Sequence, residues 1–157
     1  AAGLKPESVD LDAFALVRTL SEPGEENPDD LRNARVLCHL GGTTNLAIAA
    51  GPICFFTRAL STVWEAGGGG SAGRLAEEIR LCIDYHLAQP DARPVNEVVL
   101  SGPGAHDENL AAELSSRVAM PVSVAEPLGS LGTHAVPSGD DPFRYTVAAG
   151  LALGEAA

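Results

Sequence analysis

The chain has 157 residues, 45 % apolar and 20 % charged, enough for one domain with a real core and ordinary for a water-soluble globular protein. Its 21 acidic and 10 basic residues leave a formal net charge of −11. Such a field repels phosphate backbones and anionic lipid heads, which weighs against nucleic acid as a partner and against direct membrane insertion. Every apolar run is broken well short of the ~20 residues that a membrane span needs. The first residues also lack the basic-then-apolar pattern of a secretory signal. Work at a membrane would therefore depend on recruitment by another protein. Cys38, Cys54 and Cys82 sit in apolar surroundings and are odd in number, so they read as small buried hydrophobes of a reducing compartment.

In chain order, a short strand is expected around Glu7 to Val9, then a helix from about Asp12. Asp10 or Asp12 would cap that helix, with Phe14, Val17 and Leu20 as its apolar stripe and an apolar patch left around it. Residues 21–30 (SEPGEENPDD) hold two prolines, a glycine and five acids and read as a solvated connector. Three strand-like runs follow, 35–40 (RVLCHL), 45–49 (NLAIA) and 53–60 (ICFFTRAL). They are joined by turns short enough for antiparallel hairpins.

The stretch GGGGSAG at 67–73 is low-complexity and flexible in character. A long amphipathic helix is expected over 74–89, with Leu75, Ile79, Cys82, Ile83 and His86 on one side. A continuously apolar strand at 97–101 follows, of the kind buried on both faces. Asp107 can cap a further helix whose Leu110, Leu114 and Val118 point inward, and 121–125 forms a short strand. After a Gly/Pro/Ser-rich loop, Asp141-Pro142 pairs an N-cap with a first-turn proline and opens a last helix to about Leu153. Its Ala148-Ala149-Gly150 patch permits close approach to a neighbour.

The order from residue 35 is thus βββαβαβα. This is an α/β fold of the ribonuclease-H-like kind, a mixed sheet with an antiparallel meander and helices on both faces. Nucleases, kinases and ATPases share it, so the residues at the site must decide between them. A nuclease needs several carboxylates at strand ends to hold two metal ions. Here the first strand offers His39 and the central strand ends in Ser101.

Two glycine loops are the candidate ligand contacts: Gly41, Gly42, Thr43, Thr44 and Asn45 after the first strand, and Gly102, Pro103 and Gly104 after the buried one. Glycines let backbone N–H groups approach a phosphate, and the ends of such strands are where α/β sheets bind ligands. Cys82 with His86, and Cys38 with His39 and Cys54, lack metal-site spacing, and residues 38 and 39 face opposite sides of a strand. No metal ligand and no catalytic residue is assigned. His106, His134 and Trp64 are expected on surface loops or edges.

Several blocks in their order carry a family resemblance: AGLKPESVDLDAFALVRTL, LGGTTNLAI, FFTRAL, LAEEIRLCIDYHLAQ, VVLSGPGA, PVSVAEPL and TVAAGLALG. Together they resemble the PilM family of type IV pilus assembly proteins, whose wider actin-like ATPase architecture is shared with FtsA and with type II secretion components. The resemblance implies residues 1–20 as a strand–helix appendage from the first half of the fold, 21–34 as an acidic linker, and 35–157 as an actin-like subdomain with a reduced insertion at 61–73. It also implies that Gly41, Gly42, Thr43, Thr44 and Asn45 lie near nucleotide phosphates and Gly102, Pro103 and Gly104 against adenosine. ATP with Mg²⁺ would be the cofactor of a full-length parent.

The partner implied is an inner-membrane protein of the PilN type, and the place the inner face of that membrane, in the cytoplasm. Self-association through the first helix is the remaining expectation. Where the family hairpin starts with an Asp that organises the metal, this chain has His39. Imidazole is no substitute for oxygen ligands toward Mg²⁺. The chain also has STVWEAGGGGSAG at 61–73 where the family carries a further small subdomain. These departures imply a scaffold with a vestigial or incomplete nucleotide site. An active ATPase or phosphotransferase of the same fold is the alternative.

Overall fold

A computed structural model describes residues 9–21, 30–64, 71–107, 109–125, 128 and 140–154. Its elements are α1 (Asp12–Leu20), β1 (Ala34–His39), β2 (Thr44–Ala50), β3 (Ile53–Leu60), α2 (Ala72–Leu87), β4 (Val95–Ser101), α3 (Leu110–Val118), β5 (Val122–Val124) and α4 (Thr146–Gly154). Short 3₁₀ turns precede β1, α3 and α4.

The five strands form one mixed sheet in the order β3-β2-β1-β4-β5. β1 and β2 are antiparallel, as are β2 and β3, while β4 runs parallel to both β1 and β5. The expected βββαβαβα order from residue 35 is therefore the observed one, and the architecture is α/β of the ribonuclease-H-like, actin-like type. Parallel pairing of β1 with β4 requires a long crossover, which α2 supplies.

Alternation along the strands splits the core in two. Val36, Cys38, Leu46, Ile48, Val98 and Leu100 face α2 and α3, where Leu75, Ile79, Cys82, Leu110 and Leu114 complete the larger core. Leu37, Ala47, Ala49 and Val99 face α1, with Leu16, Val17 and Leu20. Each large apolar side chain buried there contributes about 1.5–3 kcal/mol. On the edge strand, a bulge pairs Ile48 with Phe56 but Ala49 with Cys54, leaving Phe55 as the extra residue. Phe55 and Phe56 then both reach α2, at ring distances of 5.8 Å from His86 and 5.4 Å from Tyr85.

Where α1 meets α4, Gly150 does what its small size allows. A Cβ there would lie 1.9 Å from the Ala15 carbonyl oxygen. Thr19 Oγ1 spans the same contact to the Thr146 carbonyl oxygen at 2.8 Å.

Several expectations are corrected. Leu11, not an aspartate, is the N-cap of α1, and it makes no side-chain cap bond. Asp10 instead accepts from the Leu11 N–H and from Arg18 at 2.5 Å. Val17 is buried, so the exposed apolar side chains near α1 are Val9, Leu11 and Phe14. Val9 is in no strand, and the other residues of that expected strand, like most of the loop expected over 126–140, lie outside the described residues. α2 begins at Ala72, within the glycine-rich stretch, because Ser71 caps it through the Arg74 N–H. Trp64 is 4 % exposed and belongs to the larger core, not to the surface. The last helix opens as a 3₁₀ turn over Pro142–Tyr145, where Asp141 accepts from the Phe143 N–H as expected of a cap.

Candidate functional site

β1 and β4 end side by side, with His39 paired in register to Ser101. The loops that leave them are joined directly. The Leu40 N–H donates to the Ser101 carbonyl at 2.8 Å, and the Gly104 N–H donates to the Leu40 carbonyl at 3.0 Å. The two glycine loops read from the sequence are therefore brought together at the carboxyl end of the parallel pair, where ligand sites of open α/β sheets form.

Individual residues there are already engaged. Gly102 takes φ +84°, a backbone region that favours glycine, and a Cβ would meet the Leu40 carbonyl oxygen at 2.5 Å and the His39 ring at 2.9 Å. A Cβ on Gly104 would meet the Trp64 indole at 2.2 Å and Leu40 at 2.7 Å. The room left by both missing side chains is thus filled by the protein itself. Gly42 differs, since no described atom lies within 4 Å of where its Cβ would be. Thr43 is exposed beside it. Thr44 is fully buried, and its Oγ1 and that of Thr62 find no hydrogen-bond partner among the described residues. The Asn45 amide donates to Asp12 Oδ2 at 3.0 Å.

His39 sits between the loops. Its Nδ1 is 3.2 Å from Ser101 Oγ, a hydroxyl with no exposure, and its Nε2 side borders Gly41. Burial lowers its pKa from the ordinary histidine value, with the Asp12 carboxylate opposing, so the ring is held toward its neutral form. The end of β1 thus offers an imidazole bound to a serine, and the carboxylate whose charge it feels, Asp12, comes from α1. For Mg²⁺, which seeks oxygen ligands, the set at β1 does not fit. For adenosine at Gly104, the indole stands in the way.

Reasoning from sequence missed two residues that shape this end of the sheet. Trp64 donates its backbone N–H to the Gly41 carbonyl at 3.4 Å and lays its ring on Gly104. Glu78, on α2, accepts from the Ser61 N–H at 3.0 Å, the Thr62 N–H at 3.1 Å and the Ser61 hydroxyl. Burial raises the Glu78 pKa, but these donors outweigh it and hold the carboxyl down to about 2. A lone tryptophan after a strand gave the only hint of the first; nothing in the sequence signals the second.

Cys38 and Cys82 lie in the core, and Cys54 is half-buried on the edge strand. Burial, with smaller contributions from Cys82 and Glu78, pushes the Cys38 thiol up to about 12, far from a reactive thiolate. His86 is buried too, its Nε2 3.0 Å from the Arg93 carbonyl oxygen and 3.2 Å from the Arg93 nitrogen, which ties α2 to the turn before β4. His106, exposed as expected, pairs with Asp141 at 2.8 Å.

No protein-family model matches the chain, and no curated protein sequence does. Among solved structures, a chain of a PilM-PilN type IV pilus biogenesis complex superposes with a TM-score of 0.73 at 18 % identity, covering 98 % of this chain and 54 % of that one. This chain thus spans about half the length of the one it matches. Likenesses with a TM-score of 0.49 are found to the ethanolamine utilization protein EutJ of Carboxydothermus hydrogenoformans, 15 % identical over 90 % of this chain and 53 % of that one. The same score relates it to a ROK family transcriptional regulator, 19 % identical over 61 % of this chain and 28 % of that one. At these identities the first likeness shows the fold, and that fold is actin-like.

Proposed function

We propose that this chain is a scaffolding and binding module of type IV pilus assembly, related to PilM, with a vestigial nucleotide site. The observation that carries the reading is the superposition of 98 % of the chain on a component of a PilM-PilN complex. The site supports it from the other side. The resemblance puts His39 where the family has its metal-organising Asp, and its imidazole lies against Ser101, while the space at Gly102 and Gly104 is filled from within.

In this reading the partner is the cytoplasmic tail of an inner-membrane protein of the PilN type, and the protein lies at the inner face of that membrane through it. Among the described residues, no helix is long and apolar enough to cross a membrane, so recruitment by a partner is the route the reading requires. Exposed Leu11 and Phe14 on and beside α1 offer a surface for self-association.

The test is calorimetric titration of a PilN-type amino-terminal peptide into the full-length protein that contains this chain. Saturable 1:1 binding is expected. Absence of binding, with the protein folded, would refute the pilus assignment.

A second reading, an ATPase or phosphotransferase using ATP and Mg²⁺, is favoured by one observation: the open approach to Gly42 beside Thr43. It requires the indole at Gly104 to move and carboxylates to come from elsewhere.

A further inference from the structure

The segment that leaves β3 is tied down three times within four residues. Ser61 and Thr62 give their backbone N–H groups to the Glu78 carboxylate on α2. Trp64 then gives its backbone N–H to the Gly41 carbonyl of the first glycine loop. Finally the Trp64 ring lies against Gly104 of the second loop, where the Leu40 side chain also packs. Loops run over a surface by default, since buried backbone must find partners. This one finds its first partners on α2 and then turns inward, so that Trp64 arrives at the place where the two glycine loops meet. An indole buries more apolar area than any other side chain, so its seating holds the segment down firmly.

We propose that residues 61–64 are a strap and Trp64 its occupant: the indole fills the groove between the two glycine loops, and a planar nucleoside reaches Gly104 only by expelling it. The proposal rests on reading those loops as the remains of a nucleotide site. Both loops and the strap belong to the same hydrogen-bonded cluster, Trp64 to Gly41, Leu40 to Ser101 and Gly104 to Leu40, so the filled groove is also the cross-braced one.

The test uses ADP as probe and two readouts on the intact protein. One is the amide chemical shifts of Gly41, Gly42, Gly102 and Gly104. The other is the emission and acrylamide quenching of Trp64, the sole tryptophan of the chain. The expected result is no shift in the wild type at millimolar ADP, none in Trp64→Phe, and concentration-dependent shifts at the four glycines in Trp64→Ala. Trp64→Val serves if the alanine variant does not fold. If the wild type binds ADP while Trp64 moves to the red and becomes quenchable, the strap is confirmed and the vestigial-site reading fails. Shifts in the wild type with Trp64 unmoved would overturn the strap. Silence in both proteins would also overturn Trp64 as the excluding group, and would leave the scaffold reading standing.

Discussion

Gly150→Ala tests the packing that joins α1 to α4. The new methyl carbon would begin 1.9 Å from the Ala15 carbonyl oxygen and 2.6 Å from Thr19 Oγ1, where an ordinary contact starts at 3.4 Å. The obstacle is helix backbone, which cannot swing aside as a side chain would, so the helices must part by about 1.5 Å. Overpacking of this kind costs about 1–3 kcal/mol. Parting the helices also stretches the bond from Thr19 to the Thr146 carbonyl, adding ~1 kcal/mol. Alanine's better helix propensity returns about 1 kcal/mol. The net is a loss of roughly 1–3 kcal/mol, which lowers Tm by about 2–12 °C in a domain of this size. Urea unfolding followed by circular dichroism, with a calorimetric scan, measures both. Gly73→Ala is the control, since its Cβ would meet only side-chain atoms, the movable Arg117 guanidinium at 3.3 Å and the Ser71 hydroxyl at 3.6 Å. With the same helix-propensity gain it should be neutral to about 1 kcal/mol stabilising. An unchanged or raised Tm for Gly150→Ala would refute the close helix contact.

Three further predictions concern the site end of the sheet. Glu78 is held down to about 2 from 4.5, so its contribution is complete above pH 4.5 and disappears as pH falls toward 2. After allowance for solvent screening, Glu78→Gln should lose about 1–2 kcal/mol at pH 7, a gap that narrows below pH 4.5 in urea titrations. A gap independent of pH would remove the charge from the explanation. For His39, the lowered pKa means full stability above pH 6.5 and a loss as the pH falls below it, a loss that His39→Gln should lack. His39→Asp places a second carboxylate near Asp12; its Tm should fall at neutral pH and rise again with millimolar Mg²⁺, which leaves the wild type unaffected. No rise with Mg²⁺ would place the metal-organising position elsewhere.

Much of the fold was legible because the pattern and the burial agree residue by residue. Leu75, Ile79, Cys82, Ile83 and His86 are all buried on α2 as their spacing requires, and Leu110, Leu114 and Val118 likewise on α3. Gly150 sits at the close approach that its small neighbours implied. Boundaries slipped where a cap outweighed composition: Ser71 starts α2 inside a glycine run that reads as coil.

The two glycine loops were legible as loops, but their chemistry was not. A glycine makes room, and the sequence does not say what takes it; here the His39 ring and the Trp64 indole do. Trp64 itself went unseen because its anchors are a backbone carbonyl at Gly41 and a bare backbone at Gly104, neither of which leaves a side-chain pattern. Thr44 reads as a phosphate contact from its place after Gly-Gly-Thr, yet strand alternation turns it into the core, on the same face as Leu46.

The central claim is that an actin-like frame here serves as a scaffold with its nucleotide site closed. Calorimetric titration of ATP with Mg²⁺ into this chain, and into the full-length protein containing it, tests that claim most directly. The account predicts no saturable heat from the chain at millimolar nucleotide, and none from the full-length protein. Micromolar binding to this chain alone would contradict it.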